Sequence, residues 1–203
     1  MTDNISQAIN ARRSVRHFDD EPVARDVVED LVRLACAAPA PHHSRPWRFA
    51  EVRASENREA LADAMSESWR ADLDAANTSV HEIDRLVRRS REQIEKAPVL
   101  LVACLAFDDA KPWSDDSRKQ SERDMFVQSL GAALQNILLA AGDFGLVGYL
   151  KGAPLFCAEA IQSALDLPKG WEPTFLVLLG YPQPGFEPDP RPAIEIEDFL
   201  IGR

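Results

Sequence analysis

Glycine is scarce in this chain, with nine residues in 203. None of them builds G-x-G-x-x-G or G-x-x-x-x-G-K, so a Rossmann dinucleotide unit and a P-loop are disfavoured. Cysteine is scarcer still. Cys36, Cys104 and Cys157 form no close pair, which argues against a disulfide framework and a zinc motif. Each lies in an apolar run and reads as a buried, reduced thiol, the usual state in a cytoplasm. The chain also lacks G-x-S-x-G and any Ser-His-Asp or Cys-His signature. Positive charge is in deficit: 23 Lys and Arg stand against 33 Asp and Glu, a net charge of −10. That balance disfavours nucleic acid unless basic residues are gathered locally. It equally disfavours an anionic membrane surface. The first 18 residues hold no apolar core of the signal-peptide kind. The apolar stretches at 99–107 and 175–179 are too short to span a bilayer. The expectation is a soluble, cytoplasmic protein, one domain over residues 1–203, that binds neither nucleic acid nor membrane.

The hydrophobic pattern predicts helices over 4–12, from 27 to before Pro39, over 57–75, 80–96, 122–144 and 158–167. It predicts strands over 48–53, 99–107, 145–151 and 174–181. Residues 13–22 read as a polar loop. The 122–144 segment is apolar on nearly every face, which marks either the centre of a domain or a subunit interface. Prolines 182, 184, 188, 190 and 192 make the C-terminal segment an extended arm that must lie along something. With strands and helices alternating irregularly, the fold class is α+β: a central mixed or antiparallel sheet surrounded by helices.

Three motifs carry chemistry. Arg12, Arg13, Ser14, Val15 and Arg16 place three guanidiniums and a hydroxyl within five residues. Arginine forks suit phosphate oxygens; the alternative is a surface cluster paired with Asp19, Asp20 and Glu21. The run APAPHHSRPWRF, residues 38–49, is rigidified by three prolines and dense in donors. Its adjacent His42 and His43 lack a third ligand at suitable spacing, so no metal is expected. GYLKGAP, 148–154, and GWEP, 170–173, place glycines beside a strand, where a ligand can approach the backbone. With no nucleophile, metal or nucleotide fingerprint, the chemistry is expected to belong to a bound cofactor.

In order along the chain, RRSVRHF, APAPHHSRPWRF, GAALQNILLAAGDFGLVGYLKG and LDLPKGWEPTFLVLLGYP resemble the flavin-dependent nitroreductase family. Two positions depart from the general pattern: His43 stands where asparagine is usual and Arg45 where glutamine is usual. Those departures are similar to the APAPHH-[ST]-RP segment of the nitroreductase-like C-terminal domain in the bifunctional coenzyme F420 biosynthesis protein of actinobacteria. DAMSESWRADL and SERDMFVQSLGAALQ resemble the same domain. The γ-glutamyl ligase domain that precedes it there has no counterpart in these residues, so a stand-alone reductase is expected.

The resemblance implies a nitroreductase-like fold and a homodimer with two FMN sites at its interface. Carried over by position, Arg12, Arg13, Ser14, Val15 and Arg16 would hold the FMN phosphate and ribityl chain. Ala40 would lie beside the flavin, Gly152 would offer backbone near the ring, and Arg191 would complete the phosphate site. Asp72 would contact a small anionic deazaflavin substrate, a coenzyme F420 precursor. His42, His43, Arg45 and Lys151 are the cations expected to bind its anionic groups, with Arg70 a further candidate. The implied reaction is hydride transfer from reduced FMN to the enolpyruvyl-derived double bond of dehydro-F420-0, giving F420-0. Two other readings stand beside it: a general NAD(P)H-dependent nitroreductase or ene-reductase acting on small aromatics, and a flavin-binding carrier without turnover.

Overall fold

The computed structural model describes residues 5–202. Its helices are α1 (Ile5–Ala11), α2 (Arg25–Ala35), α3 (Ser55–Ala75), α4 (Val80–Lys96), α5 (Asp116–Ala140) and α6 (Ala158–Ala164). Its strands are β1 (Trp47–Glu51), β2 (Val99–Ala106), β3 (Val147–Lys151) and β4 (Trp171–Gly180). The strands form one sheet in the order β1-β2-β4-β3. All three pairings are antiparallel, so the mixed alternative falls away. The sheet is the centre of an α+β sandwich.

β2 explains the layering. All eight of its residues are buried, because helices cover both faces of the sheet. One face carries Leu101, Ala103, Leu105 and Val177, packed with Leu31 of α2 and with Phe126, Leu130, Leu134 and Ile137 of α5. The other carries Leu100, Val102, Leu176 and Leu178, packed with Leu61 and Met65 of α3, Ile94 of α4 and Ile161 of α6. Alternate residues of one strand thus feed two separate cores. The register shifts between Ala103 and Cys104, a bulge that re-aims the end of the strand.

Several boundaries differ from the pattern-based expectation. α5 begins at Asp116, not at residue 122, because Asp115 caps it: its side chain accepts the Arg118 N–H at 2.9 Å. The helix ends in a tight 3₁₀ turn, Ala141–Phe144, closed by Gly145 at φ 71°, so β3 starts at Val147. Over Asp116–Phe144 the chain is long and apolar enough to cross a membrane by length and composition, which the shorter runs at 99–107 and 175–179 did not disclose. Here that segment buries its apolar side against the sheet, while Met125 and Val127 are exposed.

The expected loop at 13–22 is tied into the sheet edge. Ser14 bridges Gly148 of β3 and Phe18 bridges Pro182. The first helix was expected from residue 4, which lies outside the described residues. The C-terminal arm is exposed from Gln183 onward and extended apart from two short turns, at 184–185 and Ile196–Asp198. Of the three cysteines only Cys104 is buried; Cys36 and Cys157 are partly exposed, and all three are free. Cys36 caps the end of α2 and Cys157 the start of α6.

Candidate functional site

Three regions hold the residues singled out from the sequence. The first lies where the loop after α1 passes the arm. Arg191 donates through Nη2 to the carbonyls of Arg12 at 2.5 Å and Ile9 at 3.2 Å. Arg13 donates through Nε to the Asp189 carbonyl at 3.1 Å. Arm and loop are therefore stapled through backbone oxygens. Among the described residues no ion pair engages Arg12, Arg13, Arg16 or Arg191. Asp19, Asp20 and Glu21 do not neutralise them; Asp19 instead accepts the Glu21 N–H. The Arg12 guanidinium is pushed below its ordinary pKa by burial, then by the charges of Arg191 and Arg13. Arg12 and Arg13 line a cleft of about 240 Å³ that also touches Gly148, and Arg191 lies beside Arg12. Such a site is built for an anion.

Val15 is buried and lines the same cleft beside Arg12 and Arg13. Its N–H donates to the Gly148 carbonyl at 3.2 Å. That bond fixes the loop along the outer edge of β3. Gly148 is required by space: a Cβ there would stand 2.4 Å from the Leu178 carbonyl.

The second region continues along the same edge. Arg16, Trp69, Arg89, Tyr149, Lys151 and Gly152 line a cleft of about 500 Å³. The Arg16 guanidinium lies 5.3 Å from the Tyr149 ring centroid, a cation–π contact. Lys151 Nζ donates to Ser90 Oγ at 2.6 Å and to Gln93 Oε1 at 3.2 Å. Burial, then the charge of Arg89, pushes this amine down to about 8. An adjoining cleft of about 460 Å³ is walled by Met65, Trp69, Ala153 and Phe156, with Asp72 also lining it. Trp69, Ser90 and Lys151 border both clefts. Arg70 stands apart, paired with Asp84 at 2.7 Å.

The third region precedes β1. Pro41–His43 form a tight turn, and His42, His43 and Arg45 hold φ of 54°, 58° and 45°. Left-handed backbone at non-glycine residues costs on the order of 1–3 kcal/mol each, so three in four positions is a strained segment. His42 Nε2 lies 3.0 Å from Lys111 Nζ. The Ser44 hydroxyl is buried without a hydrogen-bond partner. Ala40 lies in a shallow recess beside Met125 and Ser129 of α5. Among the described residues, no group of His, Cys, Asp and Glu could hold a metal ion.

The regions do not all meet. Arg12, Arg13 and Arg191 come together; so do Arg16, Asp72, Lys151 and Gly152. Ala40, His42, His43 and Arg45 sit at the start of β1, on the opposite edge of the sheet from β3. Three strand spacings separate those edges, roughly 14 Å. Residues not singled out from the sequence also line the second region: Trp69, Arg89, Ser90 and Gln93. A signal for them existed. The buried face of α4 runs Ile83, Val87, Ser90, Ile94, and a serine in an apolar stripe marks a polar demand from the far side of the interface.

Known proteins share the sequence pattern and the fold of this chain. The chain is 28% identical to a Methanothermobacter thermautotrophicus protein named for NADH dehydrogenase/NAD(P)H nitroreductase activity, over 92% of this chain and 84% of the relative. It is likewise 28% identical to iodotyrosine deiodinase of Haliscomenobacter hydrossis, over 88% and 79%. Its fold is similar to a BluB-like flavoprotein from Clostridium difficile, with a TM-score of 0.80 at 20% identity over 98% of this chain and 99% of the other. The sequence model of the nitroreductase family matches residues 9–181, and the chain therefore belongs to that family of flavin-dependent oxidoreductases.

Proposed function

We propose that the flavin is FMN, bound at a site completed by a second copy of this chain, and that the substrate is dehydro-F420-0. The observation that carries the cofactor reading is the cluster of Arg12, Arg13 and Arg191. It is a concentration of uncompensated positive charge in a chain of net charge −10. The residues fit FMN in order along one edge. The guanidiniums suit its phosphate, Ser14 and Arg16 follow beside the chain's middle, and Gly152 closes the cleft where a flat ring would rest. A Cβ at Gly152 would stand 3.3 Å from the Phe175 ring, so close packing behind the backbone favours glycine there.

The dimer reading rests on the two separated edges. A homodimer about a two-fold axis can lay the β1 edge of one protomer over the β3 edge of the other. Ala40, His42, His43 and Arg45 would then face the flavin held by the partner. Exposed Ile194, Phe199, Leu200 and Ile201 of the arm supply apolar surface for the same association. The setting proposed is cytoplasmic, with one domain per chain.

When bound and reduced, FMN supplies a hydride from its N5. The chain's own residues bind and orient. Arg89 offers positive charge for the anionic groups of the substrate, Trp69 offers a face for its deazaflavin ring, and Asp72 lines the adjoining cleft. The narrower substrate assignment rests on APAPHHSRP and the WRADL segment. A general NAD(P)H-dependent reductase of small aromatics is the second reading. The apolar walls of the 460 Å³ cleft and the name of the Methanothermobacter relative favour it.

The test has two steps. Purified protein titrated with FMN should quench its fluorescence and turn yellow; a protein that takes up no flavin overturns both readings. Reduced holoprotein is then incubated with dehydro-F420-0. A mass gain of two hydrogens is expected, and none would leave only the second reading.

A further inference from the structure

The two clefts beside β3 meet at a group whose hydrogen bonds are incomplete. Lys151 is the last residue of β3. Its ammonium carries three N–H donors, and two of them go to Ser90 Oγ and Gln93 Oε1. Both acceptors are neutral and both stand on α4. Among the described residues the third donor has no acceptor, and no carboxylate pairs with the amine. The charged and titratable groups around it come from every neighbouring element: Arg89 from α4, Arg16 from the edge loop, Tyr149 from β3, Asp72 from α3, and Cys157 from the turn before α6.

These neighbours make Lys151 the best proton donor in the two clefts. The arginines hold their protons too firmly. The buried Tyr149 hydroxyl is pushed up to about 12 by burial. Burial and Asp72 push the Cys157 thiol up as well. Within one protomer His42 and His43 stand at the opposite sheet edge, so a histidine donor would have to come from the second copy of the chain. An amine brought down to about 8 gives up its proton near working pH and recovers it from water.

We propose that Lys151 Nζ delivers the proton that completes the reduction, with Ser90 and Gln93 as the positioning residues that aim it. The inference rests on the flavin-dependent alkene reduction described above. The π bond of the substrate breaks. One carbon receives a hydride from the reduced flavin, which is oxidised by two electrons. The displaced π electron pair on the neighbouring carbon takes H⁺ from Nζ. The ammonium becomes a neutral amine, and solvent reprotonates it through the open cleft.

The test uses the FMN-loaded enzyme with dehydro-F420-0 and the variants Lys151→Arg, Lys151→Met and Ser90→Ala. Wild-type kcat should fall above about pH 8. Lys151→Arg keeps the charge but cannot release a proton, so kcat should drop on the order of 10²–10⁴-fold with FMN affinity retained and the alkaline limb lost. Lys151→Met should lose kcat to the same degree. Ser90→Ala, which removes one of the two acceptors that aim the amine, should lower kcat less than the Lys151 variants do and move the alkaline limb. A second readout needs no turnover: acetic anhydride labelling of the Lys151 amine in FMN-free protein, followed by peptide mass spectrometry across pH. Half-labelling near pH 8 is expected; half-labelling near 10.5, the ordinary value, overturns the proposal. Wild-type kcat in Lys151→Arg with the limb intact would sink the proton-donor role alone. Recovery of kcat by Lys151→Arg after loss in Lys151→Met would reduce Lys151 to an anion-binding charge. A wild-type protein that takes up FMN but leaves the alkene untouched overturns the substrate reading, and this inference with it.

Discussion

At the scale of single residues, side chains that hold backbone oxygens do much of the organising. Arg58 of α3 donates to the carbonyls of Val52 at 2.9 Å, Glu95 at 3.2 Å and Ala97 at 2.5 Å. It therefore closes the C-terminal end of α4, whose last carbonyls have no helical partner, and ties that end to the strand exit after β1. Its guanidinium is pushed below the ordinary value, chiefly by burial. Replacing Arg58 by Met leaves several oxygens unpaired and should cost about 2–3 kcal/mol, read as a lower urea midpoint at unchanged slope. Lysine, with a point charge instead of a planar fork, should recover only part of that loss. Arg191 acts in the same manner on Arg12 and Ile9, but from the arm. There a hydrogen bond to backbone leaves the positive charge available, whereas an ion pair would have consumed it.

Among the elements, α5 bears the most weight. Phe126, Leu130, Leu134 and Ile137 are all nearly inaccessible and form the lid of one core. Leu134→Ala should cost about 2–5 kcal/mol, the range for a leucine cavity that the surroundings do not fill, measured by chemical denaturation. Its all-round apolar pattern was legible in the sequence, and so was the existence of each helix and strand among the described residues, although α5 starts six residues before the expected 122. The ends were less legible. The polar first turn of α5 hides its start, since only a cap at Asp115 distinguishes it from loop. The order of the strands was not legible at all, because periodicity reports which face is buried and not which strand lies beside which. For that reason Lys151 and the His42–Arg45 segment looked like parts of one cation set, while the sheet places them on opposite edges. Ser90 and Gln93 were missed because a serine and a glutamine in a highly charged helix carry no charge signal of their own.

For the molecule as a whole, the buried Cys104 and Tyr149 and the partly buried Lys151 set the response to alkaline pH. Lys151 is held at about 8 against an ordinary 10.5. Between those values the unfolded chain binds more protons than the folded one, so stability from this group rises with pH. Cys104 and Tyr149 are each pushed up to about 12 by burial, from 9.0 and 10.0. Above those ordinary values the unfolded chain binds fewer protons, and their share of stability falls with pH. Urea midpoints should therefore rise from pH 8 to 9 and decline beyond pH 10. Lys151→Met should remove the rise and keep the decline; a rise that survives the substitution would assign it elsewhere.

The separation of the two edges has a consequence for inheritance. In the proposed dimer each site takes its β3 side from one protomer and its β1 side from the other. A cell carrying two alleles, one damaged at Arg12 and one damaged at His43, would make mixed dimers as well as pure ones. In a mixed dimer both faults fall in the same site, and the other site is wholly sound. Two defective copies of the gene would thus restore part of what each alone has lost.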